Sequence, residues 1–369
     1  MKAGTQNAWL VFHRWTGIIA GLVTVIVGIT GSLLVFEDEL DVTLNDKLFT
    51  ISSASHPLPL DQLVAAAEEA NPAWKASIVS RVDDATERAF VVTLRDANGE
   101  EKQIFINPYT ASVNGTRSSL SSMALIRRLH GDLTLGSIGE NALGILALLL
   151  MAMFVAGLVV WWPRKGTLKS ALSVKWDGSS RRVLKDLHNT SGVYLFVFLF
   201  LSALTVPPIV WKMTTPAGGP PPQPAAAQSP NSGLVAGNAP PAATLRAGLA
   251  PTIPWQQAAN SALSAVPGTW LGFILRPLGP QPFYLIRVFP PGENAVDKQT
   301  TVFVNRFNGS IIRISVPAAP TWTSLLSADF AASLHSGAIA GLPGRLIMFV
   351  AGLFFPALFV TGFVLWWRR

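Results

Sequence analysis

Four stretches of this chain are long and apolar enough to cross a lipid bilayer, and that restricts the fold more than any other feature. A span needs about 20 mostly apolar residues. Inside hydrocarbon every backbone polar group must be satisfied within the protein, so such stretches are read as helices. Residues 17–36 supply 20 positions without a charge, 141–162 and 346–367 supply 22 each, and 193–211 supply 19. The last of these carries Thr205, Pro207 and Pro208 near its end, where neighbouring helices can tolerate proline. The first stretch is too long for a signal-peptide core and is followed by Glu37, Asp38 and Glu39 rather than a small-residue cleavage site, so it is expected to remain as an anchor. Half of the 369 residues are hydrophobic and only 13% are charged, against about 25% in soluble domains. An ordinary cytosolic enzyme is therefore not expected.

The net charge of +7 would suggest nucleic acid in a soluble protein. Here it follows topology, because short cytoplasmic loops collect Lys and Arg. The loop between the second and third spans and the two termini together hold 11 basic and 2 acidic residues, which predicts that both termini are cytoplasmic. Two larger segments then face the periplasm of a bacterial inner membrane. Residues 37–126 hold 7 basic and 14 acidic residues, whereas 212–345 hold 8 and 3. No nucleic-acid partner is expected; the lipid bilayer is.

The chain reads as a tandem duplication. His13 and Gly17, and His188 and Gly192, each give H-x-x-x-G, with Thr30 and Thr205 both 17 residues after their histidine. His130 precedes Trp161 by 31 residues, as His335 precedes Trp366. Gly139 and Gly344 fall at +9 from these histidines, Gly157 and Gly362 at +27. Between the spans, "LDQLVAAAEEANPAW" and "PWQQAANSALSAVPGTW" read as amphipathic helices. Each is followed by two strand-like runs, "FVVTLR" and "IFINPYTASV" or "FYLIRV" and "VFVNRFNGSI", with an Asn-containing turn.

The expected architecture is an integral membrane, mainly α protein, with four transmembrane helices in two tandem parallel repeats, each carrying a small α+β periplasmic domain. The expected boundaries are span one at 8–36, a periplasmic domain at 37–128, and a histidine segment with span two at 129–162. A basic loop at 163–187 and span three at 188–211 come next. A Pro-rich linker at 212–254 leads to a second periplasmic domain at 255–330, and a histidine segment with span four at 331–369 ends the chain. The linker is expected to be extended, with ten of the 27 prolines between 216 and 254.

Topology sorts four of the five histidines into two pairs, His13 with His188 near the cytoplasmic face and His130 with His335 near the periplasmic face. Ionisable residues at a membrane default to function. Two imidazoles per face and no cysteine in the chain suit two haem b groups, since haem iron accepts two axial histidines. A glycine four residues after the histidine shares its helix face and leaves room for a porphyrin. Arg14 on the inner side, and Arg127 and Arg128 on the outer, are candidate partners for propionates. Zinc fits less well, because it wants three or four clustered ligands. His56 has no repeat counterpart and reads as a loop residue. The Trp161-Trp162 and Trp366-Trp367 pairs read as interfacial anchors.

The segments "FHRWTG", "RRLHGDL", "DLHNTSG", "SLHSG" and "GFVLWW" resemble the PepSY-associated transmembrane family, and "IFINPYTASV" and "VFVNRFNGSI" resemble the strand-turn end of PepSY domains. The resemblance implies a di-haem inner-membrane reductase acting on a ferric siderophore or another oxidised periplasmic substrate, with His13, His130, His188 and His335 as haem ligands and the two small domains PepSY-like. With no G-x-G-x-x-G signature in the chain, a separate electron donor is expected, either a cytoplasmic reductase or a quinol. The rival reading is a membrane-anchored PepSY binding or regulatory protein without redox activity.

Overall fold

A computed structural model describes residues 3–54, 56–118, 121–163, 168–212, 252–276, 281–293, 298–316 and 327–368. In chain order, helix α1 (Ala3–Val35) is followed by α2 (Glu37–Leu44), α3 (Asp46–Phe49) and α4 (Leu60–Glu69). Strands β1 (Lys75–Ser80), β2 (Phe90–Arg95), β3 (Glu101–Ile106) and β4 (Val113–Ser118) lead to α5 (Ser122–Gly131), α6 (Ser137–Trp161) and α7 (Leu168–Ala171). Then come α8 (Ser180–Tyr194), α9 (Phe196–Val210) and α10 (Trp255–Ala265). Strands β5 (Trp270–Leu275), β6 (Phe283–Phe289), β7 (Thr300–Asn305) and β8 (Ile311–Ser315) precede α11 (Ala328–Ser336) and α12 (Gly341–Trp367). The expected linker falls almost wholly on residues 213–251, outside the described residues, as do Arg164, Lys165 and Arg369.

The chain divides into two compact units. One comprises Met1–Glu37, Ser122–Thr215 and Pro320–Arg369, the other Asp38–Ser121 and Pro216–Ala319. In the first, Asn7–Val35, Ser137–Trp161 and Ala338–Trp367 are long and apolar enough to span a membrane. The third expected span is not one straight helix. It is the pair α8 and α9, bent by 58° at Leu195. One turn before the bend, the Ser191 hydroxyl donates to the Leu187 carbonyl at 2.6 Å, a bond that competes with the helix ladder and favours bending. The charged half of this pair, with Arg181, Arg182, Lys185 and Asp186, is thereby redirected from the apolar half. Pro207 and Pro208 lie inside α9 without ending it. Helix α1 packs along α12 and α6, α9 packs on α6 and α11, and α8 packs on α12.

In the second unit the strands expected in two separate domains form one eight-stranded antiparallel sheet, ordered β4-β3-β2-β1-β5-β6-β7-β8. β1 and β5 join the halves, pairing Ile78 with Leu275 and Ser80 with Phe273. Both amphipathic helices, α4 and α10, lie on the same face. There they close a core that includes Leu63, Ala67, Val79, Val92, Ile104 and, from the second half, Ala258, Ala262, Ile274, Ile286 and Val302. Their N-termini cap each other. The Asp61 carboxylate accepts from the backbone N–H of Trp255 (2.8 Å) and Gln256 (3.1 Å), and the Gln256 side-chain oxygen accepts from the Leu60 N–H (2.9 Å). The expected Asn turns are present. Asn107 Oδ1 accepts from the Tyr109 N–H and Asn305 Oδ1 from the Phe307 N–H.

Candidate functional site

All four repeat-placed histidines fall in the membrane unit, and they meet in the two pairs that topology suggests. The rings of His13 (α1) and His188 (α8) have centroids 6.2 Å apart, and those of His130 (α5) and His335 (α11) 6.0 Å apart. A metal–imidazole bond is about 2.0 Å long. Adding roughly 1 Å from Nε2 to each ring centre, two axial imidazoles on one ion would place their centroids about 6 Å apart.

Every Nδ1 is already engaged. His13 Nδ1 lies 3.0 Å from the Met153 carbonyl, and His130 Nδ1 lies 2.9 Å from the Val27 carbonyl. His188 Nδ1 is 2.9 Å from the Thr361 hydroxyl, and His335 Nδ1 is 2.8 Å from the Thr205 hydroxyl and 3.1 Å from the Ser202 carbonyl. Carbonyl oxygens only accept. The two threonines give their single hydroxyl proton to backbone carbonyls one turn earlier, Thr361 to Ala357 and Thr205 to Ser202. In each pair the proton therefore sits on Nδ1, and Nε2 carries the free lone pair that a metal requires. Burial pushes the His130 and His335 imidazoles, on helices outside the spans, below their ordinary pKa, His335 to about 4. Both are therefore neutral at neutral pH.

Glycines let neighbouring helices approach these rings. A Cβ at Gly157 would stand 2.9 Å from His13 Cε1, one at Gly31 would stand 2.6 Å from His130 Cε1, and one at Gly362 would stand 3.1 Å from His188 Cε1. The repeated glycines at +9 have a different cause. A Cβ at Gly139 would collide with the Asp132 carbonyl, and one at Gly344 with the Gly337 carbonyl, where the chain folds back between the histidine helix and the span.

A cavity of about 680 Å³ opens beside the His13–His188 pair. That is within the range of cofactor pockets. Gly17 and Gly192 line it, as the H-x-x-x-G spacing suggests, and so does Arg14. Arg181 and Lys185 also line it, and the sequence reading assigned them to topology alone. Their spacing to His188 and Gly192, one helix face at i, i+4, i+7 and i+11, was the available signal. The tryptophan pairs divide. Trp162 and Trp367 are exposed, as anchors should be, whereas Trp161 and Trp366 line the cavity.

On the helix that carries His130, Arg127 is exposed and ion-paired with Glu37, and Arg128 is exposed. Arg345, which no motif singled out, donates to the Val35 carbonyl at 3.0 and 2.7 Å and lies 4.6 Å over the Phe36 ring. His56 is exposed in the loop before α4. Among the described residues no group of three or more His, Cys, Asp or Glu side chains is placed to hold a metal ion. Each pair thus offers two imidazoles, a donor set that would fit haem iron.

No curated protein matches the sequence. The profile of the family described as PepSY-associated TM region matches residues 10–369. With its apolar helices and β-sheet unit, this chain is a member of the PepSY-associated transmembrane family.

Proposed function

We propose that this protein is a di-haem b electron carrier of the bacterial inner membrane that reduces a periplasmic substrate, the ferric iron of a siderophore being the best candidate. The observation that carries the reading is the state of the imidazoles: four histidines in two facing pairs, each with Nδ1–H donated to an oxygen and Nε2 left for metal. Haem b held by two imidazoles would supply a one-electron couple with no open coordination position. His13 and His188 would hold one haem near the cytoplasmic face, with Arg14, Arg181 and Lys185 offering charge to its propionates. His130 and His335 would hold the other near the periplasmic face. On this reading both termini are cytoplasmic, the two halves are parallel repeats, and the sheet unit is a fused pair of PepSY-like domains. The electron donor is then a separate cytoplasmic reductase or a quinol.

Purified from haem-replete cells, the protein should show a sharp reduced α-band and two haems per chain. His335→Ala should halve the haem content and leave the inner haem's spectrum. A colourless preparation would sink the redox reading in favour of a non-redox PepSY binding protein. Loss of both haems, or of neither, in His335→Ala would break the pairing.

A further inference from the structure

The two halves of the chain treat the sheet face opposite α4 and α10 differently. The register carries rows of side chains across that face from one half into the other. One runs from Phe105 and Val91 through Ser80 to Phe273, Arg287 and Thr301. The next includes Leu285, Phe303 and Arg313. In the first half α2 and α3 cover the face. Phe49 packs against Phe105 with centroids 4.9 Å apart, both buried, and the Asp41 carboxylate neutralises Arg117 at 2.5 and 2.7 Å.

In the second half the corresponding residues are only half-buried. The Arg287 guanidinium lies 5.3 Å over the Phe273 ring, and the Arg313 guanidinium 5.8 Å over the Phe303 ring. Arg287 has no carboxylate or side-chain hydrogen-bond partner among the described residues, and its Nε is buried unpaired. Among the described residues of 252–316 the bases are Arg276, Arg287, Lys298, Arg306 and Arg313, and the sole acid is Glu293. The positive excess of the second periplasmic segment therefore includes a flat guanidinium on an aromatic ring in a partly desolvated place. Such a cation is stabilised by an anion, and most by one that brings a ring to stack beside it. From strand spacing and rise, the Arg287 and Arg313 positions are roughly 12 Å apart, wide enough for a compact chelate to touch both.

We infer that this face binds an anionic, ring-bearing iron chelate of the catecholate or phenolate class. The identity of the metal rests on the proposed function; the charge and aromatic preference rest on the face itself.

The test uses the full chain in nanodiscs and gallium(III) tris-catecholate, which keeps the charge of the ferric complex and is not reduced. Calorimetry should show one site whose Kd weakens about tenfold in Arg287→Gln, and more in Thr301→Glu, which sets a carboxylate in the same row. A neutral gallium tris-hydroxamate should bind at least about tenfold more weakly than the anion. Equal binding of the two chelates would overturn the proposal, as would unchanged affinity in both variants. So would the absence of chelate binding together with self-association that Arg287→Gln abolishes, which would assign the face to a second copy of the chain. Haem content separates the two readings. A haem-loaded protein that ignores the chelate defeats only this inference, and a haem-free protein that binds it defeats only the redox proposal.

Discussion

The Thr205 hydroxyl stands between two roles that only the folded chain reveals. It donates to the Leu201 and Ser202 carbonyls and accepts from His335 Nδ1. Thr30, its repeat counterpart, stands 3.5 Å from His130 Nδ1. Thr205→Val should leave the fold intact and remove this acceptor, leaving His335 with the Ser202 carbonyl. Outer-shell partners of a ligating histidine are worth about 10–100-fold in metal affinity, so haem titration should show the outer site weakened by about tenfold and the inner one unchanged. Gly157→Leu should act on the other site, because its side chain would enter the space of the His13 ring. Haem content should fall to about one per chain, and the remaining spectrum should match that of His13→Ala; two haems in Gly157→Leu would refute the seat assigned to this glycine. The sequence made the histidines, their pairing and the repetition of Thr30 and Thr205 visible. It could not pair threonine with histidine, because these contacts cross between helices 100 and 130 residues apart, and periodicity reports only the face of one helix.

The elements were legible where periodicity was strong. The three straight spans and the amphipathic α4 and α10 follow their apolar patterns. β4 did not, since "VNGTRS" lies at the sheet edge and has little apolar alternation, as edge strands generally do not. The fusion of two expected domains was equally hidden, because an edge strand's choice of partner is not written in its own composition. Two element-scale consequences can be measured. Asp61 caps the first turn of α10 across the joined halves, so Asp61→Ala removes two hydrogen bonds to a carboxylate and should cost about 2 kcal/mol in the sheet unit. Asp61→Asn should recover part of this. Proteolytic susceptibility of the sheet unit in denaturant is the readout, and equal midpoints for wild type and Asp61→Ala would exclude the cap as a stabiliser. In the membrane unit, a Cβ at Gly28 would stand 2.7 Å from the Gly352 carbonyl, and Ser32 donates to the Phe349 carbonyl at 2.8 Å. These small residues bring α1 and α12 together. Gly28→Leu should therefore lower the thermal midpoint in detergent, overpacking costing about 1–3 kcal/mol. Gly131→Ala, whose Cβ would meet nothing within 4 Å, should not.

For the whole molecule, charge and topology are one problem. The 11 basic and 2 acidic residues of the N-terminus, the loop before α8 and the C-terminus would sit together only if α1, α6, the bent α8–α9 pair and α12 alternate in direction through the membrane. The bend matters for this count. At about 1.5 Å per residue, the 15 residues of α9 reach only about 22 Å, short of a hydrocarbon core of about 30 Å. For the pair to form one span, the apolar end of α8 would have to complete the crossing, with its charged start left in water. The cysteine-free chain makes the arrangement directly measurable, since a single introduced cysteine is the only thiol. In intact spheroplasts, a membrane-impermeant maleimide should label Asn98→Cys, in the exposed β2–β3 turn of the sheet unit, and should leave Ser173→Cys unlabelled until the membrane is permeabilised. Ser173 lies between α7 and α8 beside Lys175 and Trp176. The opposite labelling would invert the topology and, with it, the assignment of His13 and His188 to the cytoplasmic side. Labelling of both sites in intact spheroplasts would mean that α6, the one candidate span between them in the chain, does not cross, and would break the alternation on which the charge count rests.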